Sequence, residues 1–195
     1  MMNINTKILT LDMTGAPRGW EDTEKVAEYY AKGKIAWEIG EFTYTLRGGV
    51  QRTTGVLSEI TVRSIVAIKG TEYIVGKDKV PTLSRSLLFQ RDAQICCYCN
   101  TWYDERLLEM EHVVPKAQQG KNTWMNLVTS CVHCNDIKRD RTPEQAGMRM
   151  YYQPYIPNRF ESLILRNKRM LPDQTEFLMS KAKNIKQKGT ISNVS

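Results

Sequence analysis

Eight residues in the second half of the chain have the types and spacing that chemistry needs: Cys96, Cys99, Glu111, His112, Asn126, Cys131, Cys134 and Asn135. Cys96/Cys99 and Cys131/Cys134 are two C-x-x-C pairs, the spacing with which one backbone turn presents two thiolates to a tetrahedral Zn2+. All five cysteines lie within residues 96–134. An odd, clustered set is a poor disulfide framework, so a four-cysteine zinc site is the expectation, with Cys97 a spare small side chain packed beside it. Between the pairs lies His112, one of two histidines. A neutral imidazole can take a proton from water, which makes His112 the candidate general base. Directly behind the second pair stands Asn135, followed at helical spacing by Lys138 and Arg139, where a helix face could meet phosphates.

These residues need elements to hold them. Pro115 ends the apolar stretch after His112, and "QQGKNTW" reads as a polar turn containing Gly120. Upstream, Ser84 caps a short helix over "SRSLLFQRD", with Leu87, Leu88 and Arg91 at helical spacing. Three further helix starts are expected at Thr142-Pro143-Glu144-Gln145, at Asn158 with Glu161, and at Asp173 with Glu176. The first eighty residues read as mixed structure. They comprise a strand at "KILTL", a turn at "DMTG" and a helix over "EDTEKVAEYYAK" stopped by Gly33. Strands through Ile35, Trp37 and Ile39 and through "ITVRSIVAI" follow, separated by turn glycines Gly48 and Gly49. The expected organisation is α+β. An N-terminal mixed unit covers 1–80, a zinc-stapled module 81–150, and C-terminal helices with a basic tail 151–195.

The order Cys96-x-x-Cys99, Glu111-His112-x-x-Pro115, Gly120, Trp124, Asn126, Cys131-x-x-Cys134-Asn135-x-x-Lys138 resembles the HNH endonuclease family with its ββα-metal (His-Me finger) fold. The match in motif covers about residues 85–147. The wider chain, through "VLSEITVRSIVAIKG" and "PYIPNRFESLILRNKRMLPDQTEFL", looks like the bacterial single-chain HNH proteins. The resemblance implies metal-dependent hydrolysis of a DNA phosphodiester, leaving a 5′-phosphate and a 3′-hydroxyl. It implies that Asn126 orients His112, by side chain or backbone, and that Glu111 and Asn135 hold the catalytic metal. Mg2+ or Mn2+ takes hard oxygen ligands and keeps several waters, so one carboxylate and one amide oxygen are a sufficient protein share. The family usually has aspartate where Glu111 stands; the extra methylene lengthens that arm and could favour Mn2+.

The other tempting residues have plainer readings. His133 is an exposed knuckle residue or a phosphate contact and not a zinc ligand, because four cysteines already fill a tetrahedron. Trp124 packs beside the turn, and Tyr151, Tyr152 and Tyr155 read as a packed connection more readily than as base-stacking platforms. Lys116, Lys121, Lys138 and Arg139 are the candidates for phosphate contact.

Composition agrees with this reading and limits it. With 41% apolar and 25% charged residues the composition is that of an ordinary soluble protein, no run approaches the roughly 18 apolar residues of a membrane span, and a cytoplasmic protein with no membrane partner is expected. Charge is uneven: residues 1–80 carry 11 basic and 10 acidic side chains, a net of +1, whereas 81–195 carry 17 and 11, a net of +6. The basic half is the half with the cysteines, as a polyanionic partner requires. Two rivals use the same features, a zinc-stapled module that grips nucleic acid without cutting it and a nuclease directed at RNA. One such site cuts one strand, so double-strand cleavage would call for a homodimer or two encounters.

Overall fold

The computed structural model describes residues 7–50, 52–70 and 80–185. The chain divides into two compact units. One contains the residues up to 79 together with those from Arg159 onward, and the other is Val80–Asn158.

The first unit is a four-stranded sheet covered on both faces. Its strands are β1 (Ile8–Leu11), β2 (Pro17–Glu21), β3 (Ile35–Val50) and β4 (Leu57–Ile68), in the order β2-β1-β4-β3. The central pair β1/β4 is parallel and the outer pairs are antiparallel. Side chains alternate across a strand, so Leu9, Leu11, Ile65 and Ala67 share one face while Ile8, Val62 and Val66 share the other. Helix α1 (Thr23–Ala31) covers the second face through Val26. The first face is covered by α4 (Arg159–Arg166) and α5 (Pro172–Lys181) through Leu163 and Leu178. Burial on both faces explains why β1 is buried at all four positions. Gln174, fully buried on α5, donates to the carbonyls of Lys7 and Ser64 at 2.9 Å each.

Several expectations differ from this arrangement. The C-terminal helices belong with the N-terminal sheet, because its face needs their apolar stripe; only 151–158 stay with the cysteine-bearing unit. Gly48 and Gly49 lie inside β3, where the ladder continues past them through Arg47↔Glu59 to Val50↔Leu57, and the turn comes later. Helix α5 starts at Pro172, and the Asp173 carboxylate accepts from the backbone of Glu41 and from the Ser64 hydroxyl. The end of the basic tail, 186–195, lies outside the described residues.

The second unit holds α2 (Arg85–Arg91), β5 (Leu108–His112), β6 (Leu127–Cys131) and α3 (Val132–Lys138). Ser84 caps α2, its hydroxyl accepting from the Leu87 amide at 3.3 Å. Strands β5 and β6 are antiparallel, Glu111 opposite Val128 and His112 opposite Leu127, and α3 follows β6 directly. The sequence ββα thus appears as a hairpin and one short helix. At the centre sits Arg91, side chain fully buried. It forks onto both Asp92 oxygens (2.8 and 3.0 Å) and donates to the carbonyls of Trp124, Leu127 and Tyr155. Its guanidinium lies over the rings of Trp124 and Tyr155, 5.5 Å from each centroid. The expected helix at Thr142 is a single turn. Thr142 and Gln145 make the reciprocal capping bonds, but Gly147 takes φ +65° and the Met148 amide returns to Pro143, closing the chain after one turn.

Candidate active site

The four sulfurs of Cys96, Cys99, Cys131 and Cys134 lie within 4.8 Å of one another. Tetrahedral zinc with bonds of about 2.3 Å sets its sulfurs about 3.8 Å apart, so the cluster fits zinc with a small contraction. Cys96 and Cys99 flank a tight turn in which the Asn100 amide returns to the Cys96 carbonyl. Cys131 ends β6 and caps α3, its sulfur accepting from the Cys134 amide at 3.4 Å. Burial raises the thiols of Cys96 and Cys134. At Cys99 burial is outweighed by hydrogen bonds from Tyr103 and Thr101, which bring it down to about 6. Cys97 stands apart from the four; burial pushes its thiol up to about 11 and its Sγ faces the Tyr152 carbonyl. His133 is exposed on α3 and takes no part in the cluster.

The four-cysteine cluster fixes where α3 begins, and α3 lies across β5. Residues 109 and 111 share one face of β5 by the two-residue period of a strand, and each meets a residue of α3. Glu109 accepts a hydrogen bond from the amide nitrogen of Asn135. Glu111, 8% exposed, accepts from the Lys138 ammonium at 2.5 Å. Each bond engages one atom of a candidate metal ligand. Asn135 keeps its amide oxygen and Glu111 its second carboxylate oxygen for a hard cation, the outer-partner arrangement that orients metal ligands. Glu111, His112, Asn135, Asp136 and Arg139 line one open cavity of about 310 Å3.

His112 also lines a second cavity, of about 450 Å3, with Met110, Lys116, Asn122 and Leu127. There its Nε2 lies 2.6 Å from Oδ1 of Asn122. Asn126 makes no hydrogen bond to the ring. Its side chain accepts from the Val114 amide and donates to the carbonyls of Val114 and Lys121, while its own carbonyl accepts from Val113. It ties together the two ends of the loop after His112. The same loop needs a glycine at 120, where a Cβ would sit 1.7 Å from the Val114 carbonyl oxygen.

Of the four candidate phosphate contacts, Lys116, Lys121 and Arg139 are exposed. Lys138 is not: its side chain is fully buried between Glu111 and the His112 carbonyl, 2.8 Å away. The α3 face that carries Asn135 turns inward at Lys138 because the buried Glu111 carboxylate needs a cation. Arg139 ends the helix at φ +51°, ψ −138°, a conformation that favours glycine. Sequence reasoning passed over Glu109 and Asn122. The signal for Glu109 was its place two residues before Glu111; for Asn122, only its membership of the polar turn.

The HNH endonuclease family model matches residues 96–151, a span that opens on the first zinc-clip cysteine and includes every candidate site residue. The CRISPR-associated endonuclease Cas9 of Corynebacterium diphtheriae is 39% identical over 66 residues, which are 33% of this chain and 6% of that protein. The chain thus corresponds to a small part of that relative. No solved structure matches. Among the described residues no helix is long and apolar enough to cross a membrane. The α+β fold, the ββα hairpin and helix, the converging cysteines and the family match agree, and residues 96–151 form a segment that matches the HNH endonuclease family.

Proposed function

We propose that this protein is a metal-dependent endonuclease that hydrolyses DNA phosphodiester bonds with His112 as general base. One observation carries the reading: Glu111, His112 and Asn135, 24 positions apart along the chain from first to last, line one cavity together with Arg139. Glu111 and Asn135 offer one carboxylate and one amide oxygen and would hold Mg2+ or Mn2+. When bound, the ion supplies charge neutralisation at the phosphate. His112 takes the proton of the attacking water as the water oxygen bonds to phosphorus. The bond from phosphorus to the 3′ oxygen breaks, and that oxygen takes a proton from solvent, leaving a 5′-phosphate. Arg139 and Lys116, on the cavity wall, and Lys121, on the loop, meet the phosphates of the backbone. Asn126 keeps the loop after His112 in place. The zinc clip holds α3, and with it Asn135, against β5. One site nicks one strand; cutting both takes a second encounter or a homodimer.

The test is conversion of supercoiled plasmid to nicked circle by zinc-loaded, full-length protein with Mg2+ or Mn2+. Loss in His112→Ala of at least ~100-fold is expected, the lower end of what a general base contributes. Plasmid that is bound but never cut would point to a binding module, and cleavage of matched RNA with DNA spared would point to an RNA nuclease.

A further inference from the structure

We propose that Asn122 is a positioning residue that keeps the proton of His112 on Nε2 and so makes Nδ1 the nitrogen that accepts the proton of water. The inference rests on His112 acting as the base and names the atom and the partner that base needs. It starts from the 2.6 Å contact between His112 Nε2 and Asn122 Oδ1. An amide oxygen only accepts, so the ring nitrogen facing it carries the hydrogen. A neutral imidazole then has its lone pair on Nδ1.

Three features of the surroundings support this assignment. His112 lines two cavities. Asn122 lines one, while the candidate metal ligands Glu111 and Asn135 line the other. Fastening the ring on the Asn122 side leaves its opposite edge to the side where a phosphate and its water would stand. Secondly, the loop presents Asn122 through fixed backbone. The Lys121 carbonyl, one residue earlier, accepts from both the Asn126 side chain and the Thr123 amide, and the Asn126 amide bonds the Thr123 carbonyl. Asn126 and Asn122 thereby act in series, the first setting the loop and the second touching the ring. Thirdly, Asn122 itself is exposed. Its side chain supports no core, so its replacement acts on the ring and not on the fold.

The experiment compares Asn122→Leu, which removes the acceptor at similar size, with Asn122→Asp, which keeps an acceptor oxygen in place. Each is made in the full-length, zinc-loaded protein. In Asn122→Leu, kcat for nicking is expected to fall 10- to 100-fold, the range for losing a partner that orients an active-site histidine, with KM changed less than about 3-fold. Asn122→Asp restores most of the loss. Nitrogen-15 NMR of the histidines supplies a readout independent of cleavage. It is recorded without divalent metal, at a pH where imidazole is neutral; His112→Ala assigns the two histidine signals. The parent should show His112 with the hydrogen on Nε2, and Asn122→Leu should move it toward a mixture of tautomers. A parent ring with its hydrogen on Nδ1, or a tautomer and kcat unchanged in Asn122→Leu, overturns the proposal. If the parent cuts no nucleic acid, the nuclease reading fails by itself and the tautomer measurement still decides what Asn122 does to the ring.

Discussion

Lys138 sets its fully buried ammonium 2.5 Å from Oε1 of Glu111 and 2.8 Å from the carbonyl oxygen of His112, clasping the end of β5 from the last turn of α3. A lysine this deep is stable only with a carboxylate beside it, and that carboxylate is the one proposed above as a metal ligand. Lys138→Met keeps the volume and removes the charge. The expected cost is about 3 kcal/mol in urea unfolding, the lower end for breaking a buried pair because Glu111 retains 11% side-chain exposure. Mn2+ should recover part of that loss, since a cation at Glu111 then meets an unpaired carboxylate. A cost below about 1 kcal/mol would mean that the pair is not closed in solution.

Arg91 should be irreplaceable even by lysine. Its planar fork reaches both oxygens of Asp92 and three main-chain carbonyls, which a single ammonium cannot do. Arg91→Lys deprives the buried carbonyls of Trp124 and Leu127 of their guanidinium donor. It should cost at least about 3 kcal/mol, at about 1–3 kcal/mol for each buried group left short. Differential scanning calorimetry would read the loss as a lower melting temperature of the zinc-bearing unit.

Zinc removal should unfold one unit and spare the other. The module Val80–Asn158 gathers its small core around the cysteines, with Tyr98, Val128 and the half-buried Met148 and Met150, whereas the sheet unit has two apolar layers of its own. After chelation, limited proteolysis should cut first within 80–158. Cys99→Ser should lower zinc content, and Cys97→Ser should leave it at about one per chain, because the Cys97 sulfur stands outside the tetrahedron. Equal zinc loss in both variants would remove the distinction.

In the sheet unit, Asp12 should contribute an acid-sensitive share of stability. Burial works to raise its carboxyl, but hydrogen bonds from Thr14 and Ala16 and the charge of Arg159 outweigh it and hold it below the usual aspartate range. A folded-state value below the unfolded one means that the contribution is complete above the unfolded pKa of about 3.9. It is lost as pH falls through the depressed folded value. Asp12→Asn should therefore be less stable than the parent near neutrality, with the gap closing below about pH 4. A gap independent of pH in that range would assign the difference to packing alone.

What could be read along the chain was whatever depends on near neighbours. A C-x-x-C pair brings two thiols together by its own turn, Ser84 caps α2 three residues from the amide it accepts, and the spacing of Glu111, His112, Asn126 and Asn135 marks the ββα module. Relationships across the hairpin were decided by tertiary structure. Strand register and the angle of α3 turn Lys138 inward to Glu111, 27 positions away, and no local pattern distinguishes that lysine from an exposed one. The same holds for the histidine. Asn126 carries the family's spacing, yet the loop it ties offers the ring to Asn122, because a folded turn brings position 122 nearer to Nε2. Helices α4 and α5 were legible as helices, but their place was not. Only the uncovered apolar face of the first sheet assigns them to it, and that face exists only once β1 and β4 have paired.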